Sequence, residues 1–170
     1  MTSMILVRGL PGSGKSTIAK NLIGFYMHVE ADMFWINDQG EYEFDPKRIG
    51  EAHTWCQNRT YELLAAGFNV VVSNTFTTKK EMRYYFEMAR DFDCVPQIVL
   101  CQGQYGSIHN VPQEALDRMA ARFEYDVSDL YNTESDYWKE AARFKYDVSE
   151  LHDTQSDYWN CLLYTSDAAD

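Results

Sequence analysis

The chain has 170 residues, 45% of them hydrophobic, which is enough for one domain with a single α/β core. Its net charge of −11 is uneven. Residues 1–123 carry 12 basic and 14 acidic side chains, and residues 124–170 carry 3 and 12. The near-neutral amino-terminal part lacks the broad basic face of a tight, non-specific nucleic-acid binder. No apolar run reaches membrane-spanning length, and the amino terminus reads as a strand rather than a signal peptide. Cys56, Cys94, Cys101 and Cys161 show neither C-x-x-C nor metal-ligand spacing, so reduced thiols in a cytoplasmic protein without a structural metal are expected.

Met4–Arg8 reads as a buried strand and Ser16–Phe25 as a helix. Between them runs Gly9-Leu10-Pro11-Gly12-Ser13-Gly14-Lys15-Ser16-Thr17, a full match to G-x-x-x-x-G-K-[ST] in the strand–loop–helix context that the pattern requires. Glycines let such a loop turn its N–H groups inward on phosphate, and the helix start adds partial positive charge. Gly9, Pro11, Gly12, Ser13, Gly14, Lys15, Ser16 and Thr17 are therefore the expected ATP contacts. Lys15 should reach the β- and γ-phosphates, and Ser16 should hold Mg²⁺.

Tyr26–Ala31 is expected to be a second strand ending at Asp32. A carboxylate there can take the proton of an attacking hydroxyl or hold a magnesium-bound water, although Asp32 also suits a helix cap or turn. Glu30 is expected to point to the other face and is the weaker candidate. Asp45-Pro46 is a helix start; Ile49, Ala52, Cys56, Leu63 and Leu64 follow near helical spacing, and Gly67 is a stop. Phe68–Ser73 is the clearest strand. Ser73, Asn74 and Thr75 close it without the aspartate that many phosphate-loop proteins carry there. That absence disfavours an ATPase motor and leaves the metal to Ser16, water and Asp32.

Thr78–Asp91 is an amphipathic helix with Met82, Tyr85, Phe86 and Ala89 on one side. Its Lys79, Lys80 and Arg83 suit either a substrate phosphate or a solvated face. Val95–Cys101 is a further buried strand. Alternating strands and helices imply a parallel sheet covered on both faces, with ligands at the carboxyl ends of the strands. Arg118 and Arg122 lie i, i+4 on a helix opened by Pro112. Either could neutralise charge on a transferred phosphoryl group, Arg118 as a nucleotide contact and Arg122 as a catalytic group, and a surface role fits Arg122 equally well. His53 and His109 are lone histidines, a pattern more often structural than catalytic.

The tail is set apart. Ala121–Trp138 recurs as Ala142–Trp159 with 13 of 18 positions identical, which suggests a recent tandem duplication or an assembly join. An acidic, aromatic adaptor repeat is the alternative. Cys161–Asp170 resembles a translated transposon-end sequencing adapter, so 161–170 is expected to be read-through and the true carboxyl terminus to be missing. The expected organisation is a kinase-like domain over 1–124, a duplicated segment over 121–159, and this tail.

The ordered series GLPGSGKST, Ala31-Asp32-Met33-Phe34, Tyr42-Glu43-Phe44-Asp45, Ala52–Cys56, Val70–Thr75, His109–Pro112 and Met119–Glu124 resembles the small P-loop kinases related to the phage 5′-hydroxyl polynucleotide kinase domain, often labelled AAA-family ATPases. The resemblance covers about 1–124. It implies an α/β P-loop kinase fold, Mg·ATP as donor, Lys15 and Ser16 as nucleotide and metal contacts, Asp32 as base, and a polynucleotide 5′-hydroxyl as acceptor. Two departures stand out. Relatives commonly carry aspartate at the position of Ser73 or Asn74, and the phage enzyme has a lid arginine just before Val-Pro, where Gln102–Asn110 has none. Either Arg118 or Arg122 substitutes there, or catalysis is weak. The rival expectations are a small-metabolite kinase similar to zeta-toxin-like enzymes, and a non-catalytic ATP-binding switch or adaptor.

Overall fold

The computed structural model describes residues 2–106 and 110–131, together with the backbone of 161–164. His109, the second repeat copy at 142–159 and residues 165–170 lie outside the described residues. Five strands form one sheet in the order β2-β3-β1-β4-β5. They are β1 (Met4–Arg8), β2 (Met27–Val29), β3 (Val70–Ser73), β4 (Gln97–Cys101) and β5 (Cys161–Tyr164). The helices are α1 (Lys15–Asn21), α2 (Ile49–Ala65), α3 (Lys79–Arg90) and α4 (Gln113–Ala121). Among the described residues no helix is long and apolar enough to cross a membrane.

Strands β1 to β4 are parallel, with Val7 beside Ser73 and Val99, and Val29 beside Val72. A parallel strand covered on both faces has no solvent side, which is why β1 is apolar along nearly its whole length and buried at every position. One face of the sheet (Met4, Leu6, Val70, Val72, Ile98) packs on α2 and α3 through Ala52, Cys56, Leu64, Met82, Tyr85 and Phe86. The other (Ile5, Val7, Val71, Cys101) packs on α1 through Ile18 and Ala19, and on its cap Leu22. This is the parallel α/β arrangement of a P-loop NTPase or kinase. The loop after β1 lies where successive crossovers leave to opposite sides, the position at which such sheets open a crevice.

β5 pairs antiparallel with β4, from Ile98 opposite Tyr164 to Cys101 opposite Cys161. An open sheet edge accepts an extended apolar segment through backbone groups alone, so this pairing assigns no role to 161–164.

Three local differences from the sequence expectation have identifiable causes. β2 ends at Val29, and Ala31–Trp35 is a 3₁₀ turn, so Asp32 stands in the first turn after the strand instead of at its end. The Asn74 side chain accepts the Ala31 N–H at 2.9 Å and takes it out of the ladder. α1 stops at Asn21, because the Leu22 N–H turns back to Ala19. α4 stops at Ala121, which leaves Arg122 as its cap.

The core also extends past residue 124. Val127, Leu130 and Tyr131 are buried, and the Tyr131 ring meets Phe86 edge-on at 5.1 Å while its hydroxyl donates to Pro96 O at 3.0 Å. The Glu124 carboxylate accepts the Lys79 N–H at 2.6 Å, and Lys79 Nζ pairs with Asp129 at 3.0 Å. The opening half of the first repeat copy is thus part of the domain.

Candidate nucleotide and metal site

Beyond β1 the chain must turn in a tight space. Gly9 has φ 154°, and a Cβ there would strike Cys101 O and Ser13 Oγ. Gly14, at φ 95°, caps α1 and faces the Tyr105 ring. Glycine alone suits both positions. The Ser13 N–H donates to Leu10 O at 3.1 Å, the Gly9 N–H to Thr75 O at 3.2 Å, and the Tyr105 N–H to Gly12 O at 2.9 Å. Pro11, Gly12 and Ser13 form the bend of this cradle, while Thr17 is exposed on α1. Ser13 Oγ is buried and has no hydrogen-bond partner among the described residues. An orphaned hydroxyl in a cradle too tight for a Cβ fits an anion that is inserted from outside.

Lys15 folds back over this loop, and its Nζ donates to Leu10 O at 2.9 Å. Burial pulls its ammonium below the usual lysine range, and the charges of Cys101, Asp32 and Glu30 oppose that pull. A partly desolvated cation held by one carbonyl is poised to exchange that carbonyl for phosphate oxygen.

Glu30 differs most from its sequence expectation. The sequence expectation put it on the far face, yet positions two apart share a face in a strand, and Glu30 in any case lies one residue past the end of β2. Its Oε2 accepts both the Ser16 and Ser73 hydroxyls, each at 2.9 Å. His28 Nε2 stands 3.5 Å from the same oxygen and 2.8 Å from Ser73 Oγ. Burial pushes the Glu30 carboxyl up, but His28, Ser73 and Ser16 together outweigh it and hold the group at about 2. Local pattern gave no sign of this. The signal was the missing acid at Ser73, read together with the β2–β3 register that brings position 30 beside it.

Asp32 is exposed beside the loop and accepts the Tyr42 hydroxyl at 3.4 Å. Burial first, then the Asp32 charge and hydrogen bond, push the Tyr42 phenol up to about 12. Lys15 feels both carboxylates, so Lys15, Ser16, Glu30 and Asp32 share one neighbourhood.

The arginines separate. Arg122 Nε donates to Thr77 Oγ1 at 3.0 Å, beyond the carboxyl end of β3. Arg118 stands on the exposed face of α4, 3.9 Å from Glu114. Lys79 is engaged by Asp129, Lys80 and Arg83 are exposed on α3, and His53 lies half-buried on α2. Arg8 is buried at the end of β1, donates to Phe76 O at 2.8 and 3.0 Å, and lies 4.3 Å over the Phe123 ring. It ties the segment after α4 to the sheet. Beside the phosphate loop a cavity of about 250 Å³ is lined by Leu10, Ser13, Gln102, Gly103, Phe123 and Tyr125.

A family model described as an AAA domain matches residues 4–105. The chain belongs to this family. The matched span of this AAA domain runs from β1 through the phosphate loop to Tyr105, and so includes Lys15, Ser16, Glu30 and Asp32. Human NEDD4-binding protein 2 is 33% identical over 140 residues, which is 74% of this chain and 8% of that protein. A 2′,3′-cyclic-nucleotide 3′-phosphodiesterase from Pongo abelii is 30% identical over 107 residues, 59% of this chain and 24% of that one. The AAA domain thus spans less than a quarter of the length of either curated relative. A crystal structure of a Chloroflexus aurantiacus protein shares the fold, with a TM-score of 0.50 and 19% identity over 59% of each chain.

Proposed function

We propose that this AAA domain is an ATP-dependent phosphotransferase that moves the γ-phosphate of ATP to a hydroxyl, the acceptor being the 5′-hydroxyl end of a polynucleotide. The observation that carries the reading is the convergence at one phosphate loop of a partly desolvated Lys15 with two carboxylates of different surroundings. Glu30 is tied down by two hydroxyls and an imidazole, and Asp32 is exposed beside the Tyr42 phenol.

In this mechanism the loop N–H groups and Lys15 hold the triphosphate, and Ser16 and a carboxylate would hold magnesium. When bound, the metal supplies positive charge against the phosphate oxygens. Asp32 takes the acceptor's hydroxyl proton as that oxygen bonds to the γ-phosphorus. The bond from phosphorus to the β–γ bridging oxygen breaks, and ADP leaves with that oxygen. Lys15 offsets the charge that develops there. A near-neutral domain suits recognition of a nucleic-acid end better than of a long backbone.

A second reading is a nucleotide-binding switch without transfer. It is favoured by the anchoring of Arg122 on Thr77 and the outward position of Arg118, which leave both arginines engaged elsewhere. Incubation of the full chain with γ-labelled ATP and 5′-hydroxyl oligonucleotides tests both readings. Label on the oligonucleotide, lost in Lys15→Ala and Asp32→Asn, supports transfer. Label only on small hydroxyl compounds moves the acceptor to the metabolite class. ATP binding with no labelled acceptor supports the switch.

A further inference from the structure

The third strand of this sheet ends Ser73-Asn74-Thr75, so the position from which an acid would face the phosphate-loop serine carries a hydroxyl. The adjacent strand supplies the acid. In the parallel register Val29 sits beside Val72, and Glu30 therefore arrives beside Ser73. We propose that Glu30 replaces the missing strand-end aspartate. Its carboxylate, bridging Ser16 and Ser73, is the group that orders magnesium at the phosphate loop, and Asp32 is left to the acceptor hydroxyl. This rests on the Mg·ATP reading above.

Proton counting supports the assignment. An ionised carboxylate only accepts, so Ser16 and Ser73 both donate their single hydroxyl protons to Glu30 Oε2. With its proton committed, Ser73 Oγ must accept from His28, which fixes that ring with hydrogen on Nε2. The result is a directed chain, His28 to Ser73 to Glu30, with Ser16 joining from the loop. The Ser73 hydroxyl is thus an outer support that aims a carboxylate, and the carboxylate reaches the serine whose oxygen faces the phosphates. The Glu30 side chain keeps 21% of its exposure while His28 keeps 4%, so the chain is buried at its base and open at the carboxylate. Asp32 sits differently, beside the Tyr42 hydroxyl and, through space, the Lys15 ammonium.

The test measures binding of a fluorescent ATP analogue to the full chain across a magnesium titration, for wild type, Glu30→Gln, Asp32→Asn and the double variant Glu30→Gln with Ser73→Asp. Glutamine still accepts both hydroxyls, so a purely structural Glu30 would lose little. The expected result is a rise of roughly 10- to 100-fold in the magnesium half-saturation for Glu30→Gln, as is typical when a metal site loses a supporting group. Metal-free nucleotide affinity should be retained, the double variant should recover, and Asp32→Asn should leave the half-saturation unchanged. If circular dichroism shows that Glu30→Gln is unfolded, Glu30→Asp gives the same comparison, with a smaller rise expected. A wild-type magnesium response in Glu30→Gln, or a shift in Asp32→Asn alone, overturns the assignment while leaving ATP binding intact. No nucleotide binding by wild type at any magnesium concentration overturns the phosphotransferase reading and this assignment with it.

Discussion

The Tyr42 hydroxyl donates to Asp32 Oδ1 across 3.4 Å, a long bond from a phenol that burial and the same carboxylate push up to about 12. At neutral pH the phenol is therefore a donor and not a competing base. Asp32→Asn is expected to lower phosphoryl transfer by roughly 10²- to 10⁴-fold, the range for loss of a general base, with ATP affinity retained. Tyr42→Phe removes only a long hydrogen bond and should cost less than about tenfold. Steady-state rates together with analogue binding separate the two effects.

Gly9→Ala should abolish nucleotide binding and destabilise the domain by about 1–3 kcal/mol, the usual cost of forcing atoms into a packed site. The added methyl meets Cys101 O and Ser13 Oγ, one of them backbone that cannot move aside. Gly40→Ala is the contrast. Its φ of 81° carries backbone strain, but open space surrounds it, so nucleotide binding should persist. Urea unfolding and analogue binding report both.

Arg118→Ala should change stability by no more than about 0.5 kcal/mol, because its partner Glu114 is 3.9 Å away on an exposed face. Arg122→Ala loses a bond to the fully buried Thr77 and should lower transfer at least about tenfold if Arg122 turns toward the phosphates during the reaction. An unchanged rate in Arg122→Ala would remove it from the catalytic group.

Residues 123–131 should be needed for folding. Leu130→Ala is expected to cost roughly 2–5 kcal/mol, the range for a buried leucine. A chain ended at 124 should unfold at markedly lower urea than one ended at 131.

Burial pushes the Cys94 thiol up to about 11, with the nearby Thr2 hydroxyl opposing it. A raised folded value means that the unfolded thiol ionises first. Its contribution is fully present below about pH 9 and is lost as pH rises through about 11. Alkaline unfolding of Cys94→Ala should therefore be flatter over that window than that of wild type.

The strands around β1, β3 and β4 were legible because a parallel strand covered on both faces needs an unbroken apolar run, and Ile5–Val7, Val70–Val72 and Ile98–Leu100 supply it. The phosphate loop was legible because its glycines meet a backbone demand that is local. Glu30 was not. Its orientation depends on Ser73, 43 residues away in the chain, and on an Asn74 side chain that ends the strand early. The same holds for Val127 and Tyr131, whose burial is decided by distant partners such as Phe86 and Pro96. Arg118 and Arg122 keep their i, i+4 backbone bond, but the side chains part because Arg122, at the cap, reaches the distant Thr77.

Glu124 and Tyr131 give the duplication a direction. The second copy repeats Phe123, Val127 and Leu130 in sequence as Phe144, Val148 and Leu151. It carries Lys145 where Glu124 receives the Lys79 N–H, and His152 where Tyr131 reaches Pro96 O. A lysine offers no acceptor to that amide and sets one cation against another. The berth beside α3 thus depends on an acceptor and a phenol that the later version of the repeat has exchanged for other groups.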